Sequence, residues 1–347
     1  MLGCECSLFV AEALWALWSA VVGCLRVFVT GCAGFIGSFL VERLVGEGYT
    51  VACVDNLSSG RLENLENVLG EKEFTFLKAD LLEPSRWQYL VRGVDVVFHF
   101  AANPEVRHSV REPLDHYEQN LTATMHVLEA ARRYHVRLVV FASSSTVYGD
   151  ARRIPTPEDH PLEPISVYGA TKAAAEIMCQ TYARLYGMQC LVLRYANIVG
   201  PRLRHGVIYD FIVKLKRNPR RLEILGDGTQ KKSYLYVDDA VEATLAAVNR
   251  VLNREEKVKV YNVGNRDWVT VKEVADAVVE AMGLKGVEYV YKPATSDGRG
   301  WPGDVKLMLL DISRIVRETG WKPRLSSLEA VKVAAKHLVE ELVKGTG

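Results

Sequence analysis

The sequence has almost no net charge. Its 347 residues include 43 Lys and Arg and 42 Asp and Glu, which leaves a formal charge of +1. A protein without an excess of positive charge has no global attraction to nucleic acid or to an anionic membrane surface. We therefore expect no nucleic-acid partner and no membrane partner. With 49% hydrophobic residues, the chain is too apolar for a disordered protein and can build a sizeable core.

The sequence also lacks the cysteine and histidine spacings that are typical of metal sites and of small domains cross-linked by disulfides. The seven cysteines are scattered, odd in number and include no C-x-x-C pair; they are Cys4, Cys6, Cys24, Cys32, Cys53, Cys179 and Cys190. The eight histidines show no spacing that suits a metal. We expect neither a disulfide framework nor a metal site, and this cysteine usage fits a reducing cytoplasm.

The first 25 positions contain no basic residue. Residues 7–25 form an apolar run in which Glu12 is the one charge, and its length would just span a bilayer. The positive segment that opens a secretory signal is missing. We favour the hypothesis that residues 1–24 come from a start site assigned too far upstream, with Leu25 near the true beginning. The alternatives are a membrane anchor or an added surface helix.

From Arg26 onward, short apolar runs alternate with segments of helical periodicity. The expected strands are 26–30, 50–54, 74–78, 95–100, 137–142 and 190–195. The expected helices are 35–46, 117–134, 168–186, 239–249 and 270–282. This alternation predicts an α/β fold with a doubly wound parallel sheet. After Asn197 the pattern becomes irregular and rich in turns, which favours a smaller C-terminal α/β lobe that binds the substrate.

A glycine-rich turn follows the first expected strand. Gly31, Gly34 and Gly37 stand between this strand and a helix, where bare backbone can approach a pyrophosphate at the helix N-terminus. Asp55 ends the second strand and is the expected partner of an adenosine ribose. Because a carboxylate would repel a 2′-phosphate, NAD is favoured over NADP. The Gly-x-x-Gly-x-x-Gly spacing is typical of the short-chain dehydrogenase/reductase type of Rossmann fold.

Tyr168 and Lys172 are four residues apart on an expected helix and follow Ser144 in the chain. Residues four apart share a helix face, so the ammonium can lie beside the phenol. A phenol is a poor base at neutral pH because its reference pKa is about 10. A nearby ammonium and an oxidised nicotinamide both favour phenolate, which makes tyrosine usable as a general base. Taken singly, Ser144 would be a turn serine and the other two an ordinary exposed pair.

From Leu25 to about Pro323 the chain resembles the extended short-chain dehydrogenases/reductases of the NAD-dependent sugar epimerase/dehydratase family, and within it the UDP-glucose 4-epimerase branch. The resemblance implies an NAD site formed by Gly31, Gly34, Phe35, Ile36, Gly37, Asp55, Asn56, Ser59, Gly60, Asp80, Leu81, Phe100, Ala101, Ala102, Asn120, Tyr168, Lys172 and Tyr195. Cys32 departs from the family pattern, where glycine is common, but its side chain is small.

The resemblance also implies the domain organisation. The expected segments are an apolar extension at 1–24, an NAD-binding domain at 25–197 with a returning segment at about 234–263, a substrate lobe at 198–233 and 264–330, and a C-terminal helix at 331–347.

The same resemblance implies a reversible reaction at C4 of a UDP-hexose. Ser144 would hydrogen-bond the 4-hydroxyl, Tyr168 would remove its proton, and Lys172 would bind the nicotinamide ribose and lower the pKa of the tyrosine. A 4-keto sugar that turns over before it is reduced converts UDP-galactose to UDP-glucose with tightly bound NAD.

The residues after Ser144 discriminate between the reactions of the family. Sugar-nucleotide 4,6-dehydratases typically carry Asp-Glu there, and decarboxylases carry Glu at the second position. This chain has Ser145 and Thr146, which cannot replace a carboxyl group in proton transfer at neutral pH. Redox chemistry at one carbon is therefore favoured.

The diphosphate of an activated sugar needs fixed positive charge. Candidates are Arg202, Arg204, Lys231, Lys232 and Arg299. In the epimerase pattern, arginine usually stands at the position of Lys232 and again at that of Trp301, so we expect Arg299 to reach in from two residues away. The substrate residues implied are Ser144, Ser145, Asn197, Val207, Leu222, Lys232, Arg299 and Asp304. Met308 falls near the position that limits bulk at the 2-substituent of the sugar.

Other functions remain open at this point. A uronic-acid 4-epimerase would need an extra cation for the C6 carboxylate, and the sequence does not identify one. An NAD(H)-sensing regulatory protein with this fold would commonly lack the pair Tyr168 and Lys172. The resemblance also implies a homodimer through the helices that contain Asn120 and Tyr168.

Overall fold

The structure is a computed structural model in which residues 25–344 are described. The hypothesis about residues 1–24 and the last three positions of the expected C-terminal helix lie outside these residues.

Strands and helices alternate along the first two thirds of the chain. The strands are β1 (Arg26–Thr30), β2 (Thr50–Asp55), β3 (Phe74–Lys78), β4 (Val96–His99), β5 (Leu138–Ser144), β6 (Gln189–Tyr195), β7 (Asn197–Val199), β8 (Arg221–Leu225), β9 (Lys231–Lys232), β10 (Tyr234–Tyr236), β11 (Val258–Val263), β12 (Val269–Thr270), β13 (Glu288–Lys292) and β14 (Leu307–Met308). The α-helices are α1 (Phe35–Gly46), α2 (Pro84–Trp87), α3 (Pro113–His116), α4 (Ala123–Arg133), α5 (Val167–Tyr186), α6 (Gly206–Arg217), α7 (Val237–Leu252), α8 (Val271–Ala281), α9 (Ser313–Thr319) and α10 (Ser327–Val339).

Seven strands form one sheet in the order β11-β6-β5-β4-β1-β2-β3. Every pair in it is parallel. The strand order reverses between β1 and β4, which is where open α/β sheets bind their ligands. The predicted Rossmann-type, doubly wound sheet is thereby confirmed, and all six expected strands belong to it.

Alternate residues of the strands fill two cores, one on each face of the sheet. Val27 and Val29 pack toward α1 and α7, whereas Phe28 packs toward α4 and α5. This division follows from the two-residue period of a strand. Strands that are covered on both faces need continuous apolar sequences, and the central strands β5 and β6 have them.

A smaller lobe packs around a third core. Its helices α6, α8 and α10 contribute Phe211, Val274 and Val331, and the short strand β8 contributes Leu222. Three small sheets complete the lobe: β8 with β13, β7 with β10, and β9 with β12 and β14. The chain returns afterwards to the large sheet, where Ile315 of α9 joins the core that contains Val27.

The helix expected at 117–134 is not continuous α-helix. A π-helical segment spans Tyr117–Thr122 and precedes α4. Such wider turns often lie at functional sites because they redirect the side chains on one face of the helix. Apolar periodicity did not reveal this segment.

The sequence predicts no disulfide framework, but the structure contains one disulfide. Cys32 lies in the glycine-rich turn after β1 and Cys53 lies in the neighbouring strand β2; they form a disulfide with a Cα–Cα distance of 6.1 Å. The turn bends back over β2, so residues 21 apart in sequence meet. Cysteine usage therefore no longer argues for a reducing compartment.

Among the described residues, no helix has the length and apolarity needed to cross a membrane. The same residues contain no group of three His, Cys, Asp or Glu placed to hold a metal ion.

A buried ion pair joins α5 to the sheet. The side chain of Glu176 is 0% exposed and that of Arg194 is 5% exposed, with 2.7 Å between Oε2 and Nη2. Ser143 hydrogen-bonds the same carboxylate, and Arg194 also donates to the hydroxyl of Tyr148 at 2.8 Å. Removing one member of such a pair leaves an uncompensated charge in the core.

We expect Glu176→Ala to lower the free energy of unfolding by about 3–5 kcal/mol, because Arg194 would stay buried without its partner. Urea denaturation followed by circular dichroism measures this loss. Arg86→Ala is the matched control, since Arg86 and Glu83 form an exposed pair whose removal should change stability by less than about 1 kcal/mol. Equal effects of the two substitutions would contradict the structural role of Glu176.

Candidate active site

A cavity of about 1070 Å³ lies where the large sheet meets the smaller lobe. Gly31 follows β1, Phe100 follows β4, and Ser144 and Tyr195 end β5 and β6; all four line the cavity. Val207 and Lys232 line it from the lobe. The carboxyl ends of the strands therefore form one wall of the cavity, and the lobe forms the opposite wall.

The glycine-rich turn lies against two neighbouring strands. Gly31 has a φ of +72°, and a Cβ atom at this position would be 2.6 Å from the backbone nitrogen of Ala101. Only glycine avoids both the strain and the overlap. The carboxylate of Asp55 accepts hydrogen bonds from the backbone of Ala33 at 3.0 Å and Leu57 at 2.8 Å. These contacts fix the turn before α1.

These residues fit a bound dinucleotide. The first turn of α1 lines the cavity through Phe35, Ile36 and Gly37, and the dipole of a helix N-terminus stabilises a pyrophosphate. Asp55 lies at the end of β2 and lines the cavity, in the position from which a carboxylate accepts hydrogen bonds from ribose hydroxyls. Burial raises the pKa of Asp55, while the backbone donors at Leu57 and Ala33 oppose this shift.

Helix α5 brings Tyr168 to Ser144. The Ser166 side chain caps the helix by accepting a hydrogen bond from the backbone of Gly169 at 3.1 Å. A Cβ atom on Gly169 would lie 2.6 Å from the carbonyl oxygen of Thr146, so the first turn of α5 packs directly on the turn after Ser144. Tyr168, in the same turn, lies within hydrogen-bonding reach of Ser144.

Lys172 is 3% exposed and lies one turn further along α5. Its ammonium donates a hydrogen bond to the carbonyl oxygen of Ala142 at 2.9 Å and lies 5.0 Å from the ring centre of Phe141. Burial lowers the pKa of Lys172 to about 8. The ammonium is thus held at the cavity wall by β5.

The environment of Tyr168 differs from the expectation in one respect. Burial raises the pKa of its phenol to about 12, and the hydrogen bond with Ser144 opposes the shift without reversing it. Lys172 does not produce the expected lowering, because its ammonium is directed to Ala142. The protein groups around Tyr168 therefore favour the neutral phenol.

Most of the predicted site residues line this cavity. They are Gly31, Gly34, Phe35, Ile36, Gly37, Asp55, Asn56, Ser59, Asp80, Leu81, Phe100, Ala101, Ala102, Ser144, Ser145, Tyr168, Lys172, Tyr195, Asn197, Val207, Lys232 and Asp304. The structure thus brings together residues from both ends of the chain.

Two predicted cofactor residues lie behind the cavity wall instead. Gly60 packs on the backbone of Ala33, where a Cβ atom would be 2.8 Å from its carbonyl carbon. Asn120 is 2% exposed, and its side-chain oxygen accepts a hydrogen bond from the backbone of Asn103 at 2.7 Å. Both residues support the loops that line the cavity.

Two predicted substrate residues are also absent from the lining. Leu222 is 0% exposed and belongs to the core of the lobe, because β8 turns this side chain inward. Arg299 forms ion pairs with Asp150 at 2.8 Å and Asp297 at 2.6 Å. These carboxylates raise the pKa of Arg299 and bind its guanidinium away from the cavity.

Three of the other four candidate cations are also paired with carboxylates. Arg202 forms an ion pair with Glu42 at 2.7 Å, and Arg204 forms one with Glu341 at 2.8 Å. Lys232 forms an ion pair with Asp304 at 2.8 Å. Lys231 does not line the cavity and lies over Trp268, 5.7 Å from its ring centre.

Several lining residues escaped the sequence analysis. Arg107 and His108 line the cavity from the loop after β4. His116 does not line it, but packs edge-on against Tyr168 with 6.2 Å between ring centres. The available signal was positional: loops that follow β-strands gather at the carboxyl edge of a parallel sheet. This rule selects the loop without identifying which of its side chains face the ligand.

Comparisons with known proteins agree with this geometry. A sequence profile of the NAD dependent epimerase/dehydratase family matches residues 27–264. The chain is 35% identical over 313 residues to the UDP-glucose 4-epimerase of Mycolicibacterium smegmatis, an alignment that covers 88% of this chain and 96% of that protein.

Solved structures are similar over nearly the whole chain. A crystal structure of a UDP-galactose 4-epimerase is 53% identical and has a TM-score of 0.82, covering 92% of this chain and 100% of the other. The UDP-glucuronic acid 4-epimerase of Bacillus cereus, solved with UDP-glucuronic acid and NAD, is 26% identical with a TM-score of 0.81, covering 91% of this chain and 100% of the other.

We expect Tyr168 to titrate well above pH 10 in protein stripped of cofactor, because burial raises its pKa to about 12. Since the folded pKa exceeds the unfolded value, the stabilisation from the neutral phenol is present below about pH 10 and is lost as the pH rises toward 12. The phenolate absorbance of the protein minus that of Tyr168→Phe measures the midpoint. A midpoint below pH 10 would contradict the described environment.

Proposed function

The chain belongs to the NAD dependent epimerase/dehydratase family, and from this membership we propose that it interconverts UDP-galactose and UDP-glucose at C4 of the sugar. It is an enzyme of the NAD-dependent nucleotide-sugar epimerases, and its cofactor is NAD. The choice of epimerisation over elimination or decarboxylation rests on the residues around Ser144, and the choice of a neutral UDP-hexose rests on the similarity to a UDP-galactose 4-epimerase.

The observation that carries the proposal is the set of groups around the hydroxyl of Ser144. Tyr168 and Lys172 occupy adjacent turns of α5, and the hydroxyl of Thr146 donates a hydrogen bond to Ser144 Oγ at 3.0 Å. The following positions thus supply hydroxyl groups in place of the carboxyl groups that elimination of water or decarboxylation would use. With NAD as the hydride acceptor and donor, one base and a hydroxyl partner suffice to oxidise and reduce a single carbon.

In this proposal each side chain acts on the 4-hydroxyl or on its proton. Ser144 orients the hydroxyl by a hydrogen bond, and Tyr168 takes up its proton as C4 becomes a carbonyl carbon. Tyr168 returns the proton when the carbonyl is reduced from the opposite face. The ammonium of Lys172, held at the cavity wall by Ala142, would bind the nicotinamide ribose of the cofactor.

NAD held by the residues around Gly31 and Asp55 would supply the hydride acceptor and donor for C4, and its positive nicotinamide ring would favour the phenolate form of Tyr168. The protein chain itself shields this hydride exchange from solvent. The residues of β5 and β6 that form the cavity wall are largely buried, which limits access of water to the reacting groups.

We expect Tyr168→Phe to reduce turnover about 10²–10⁴-fold, because the variant keeps the ring and loses the group that exchanges the proton. Proton NMR of UDP-galactose, with and without added NAD, measures the UDP-glucose formed. Tyr186→Phe is the matched control, since Tyr186 lies at the far end of the same helix and is 49% exposed. Full turnover by Tyr168→Phe would refute the proton transfer.

We also propose that the protein is a homodimer. Two neighbouring stretches of helix expose large apolar side chains: Leu114 (72%) and Tyr117 (52%) near the π-helical segment, and Ile177 (56%) and Leu185 (66%) on α5. Contiguous exposed apolar residues on paired helices are typical of a subunit interface. A dimer interface of about 1,200–2,000 Å² would cover them.

We expect Ile177→Glu to convert the dimer to a monomer, because a carboxylate would be buried unpaired at the interface. Size-exclusion chromatography with light scattering measures the mass. Leu69→Glu changes a residue with 43% exposure outside these helices and should leave the mass of the dimer unchanged. A monomeric parent protein would rule out the dimer.

A further inference from the structure

Arg107, which the sequence did not point to, lies at the substrate end of the cavity, where Lys232 and Trp301 of the chain beyond residue 198 line it. The guanidinium carbon of Arg107 is 5.6 Å from the ring centre of Trp301, and the ammonium of Lys232 is 5.5 Å from the same centre. All three side chains line the cavity. Trp301 occupies the position where the epimerase pattern usually has an arginine. Two cations, Arg107 and Lys232, lie next to its ring.

Arg107 differs from Lys232, Arg202, Arg204 and Arg299 because no carboxylate of the described residues forms an ion pair with it. Lys232, Arg202 and Arg204 each form an ion pair with a carboxylate at 2.7–2.8 Å. Arg299 is bound by two carboxylates outside the lining. Within residues 25–344, Arg107 has no ion-pair partner, and its side chain is exposed.

Arg107 also lines a second, smaller cleft next to the main cavity. A smaller cleft of about 110 Å³ shares Arg107, Lys232, Trp301 and Asp304 with the main cavity. Its remaining lining is largely apolar and includes Phe211, Leu225 and Val269. Arg107 and Lys232 can therefore both contact a ligand that extends from the cavity into this cleft.

We infer that Arg107 binds the diphosphate of the substrate and replaces the arginine that Trp301 displaces. A guanidinium binds phosphate oxygens through two parallel hydrogen bonds, whereas an ammonium acts as a point charge. The ring of Trp301 supports Arg107 by a cation–π contact and so limits the entropy lost when the ligand binds. Arg107 comes from the loop after β4 and Lys232 from the lobe, so the diphosphate joins the two parts of the protein.

This inference rests on the proposed nucleotide-sugar substrate, and binding tests it without turnover. We expect Arg107→Met in the NAD-containing enzyme to weaken UDP binding at least tenfold and uridine binding less than twofold, as measured by isothermal titration calorimetry. The loss should shrink at high salt because an exposed charge is screened. Arg107→Lys should bind UDP with intermediate affinity, since it keeps the charge and loses the fork.

Arg111→Met is the matched control, because Arg111 is exposed on the same loop and outside the cavity lining. The double variant Arg107→Met/Trp301→Arg should recover UDP binding to within a few-fold of the parent. Equal UDP affinity of Arg107→Met and the parent would overturn the inference. A loss confined to UDP-glucuronate would also overturn it, by assigning Arg107 to the sugar carboxylate.

The two proposals fail in different ways. If UDP-galactose is not converted and UDP binding still depends on Arg107, the proposed reaction is wrong and the inference stands. If UDP-galactose is converted and UDP binding ignores Arg107, the reaction stands and the inference is wrong.

Discussion

The carboxylate of Glu176 and the guanidinium of Arg194 are paired in the interior, and the position of the reactive groups depends on this pair. Glu176 lies one turn beyond Lys172 on α5, and Arg194 lies on β6. The carboxylate also accepts the hydroxyl hydrogen of Ser143, the neighbour of Ser144. One charged contact therefore sets the position of the helix that carries the base relative to the strand that carries its hydroxyl partner. A buried charge tolerates little displacement, since any movement leaves it without a partner.

Local patterns were sufficient to predict the sheet and most of the residues with which its strands and their turns line the cavity. The alternation of apolar runs with helical periodicity identified the six strands before residue 196, because strands covered on both faces must be apolar throughout. The turn containing Gly31 and the carboxylate of Asp55 were recognisable because each is required at a fixed point along a strand–turn–helix unit. Tyr168 and Lys172 were placed correctly on one helix face by their spacing alone.

Features that depend on distant contacts were not predictable in this way. Arg299 is paired with Asp150, which is 149 positions away in sequence, and this contact removes it from the cavity. Leu222 faces the core of the lobe because of how β8 packs on its helices, which no short pattern reveals. Cys32 and Cys53 meet because a turn bends back over a strand. The cations at the substrate end were predicted wrongly for the same reason. A cation is free to bind a ligand only if the fold brings no carboxylate next to it, and local sequence does not show this.

The close contact between Gly169 and the carbonyl of Thr146 has a further consequence. Gly169 has a hydrogen atom where every other amino acid has a Cβ atom. This allows the helix that carries Tyr168 to pack close to the turn after Ser144. A methyl group at that position would act as a spacer between the two elements, with no change in charge or in any reactive group. The rate of the reaction would then depend on the distance between Tyr168 and Ser144, and Gly169 would set that distance without taking part in the chemistry.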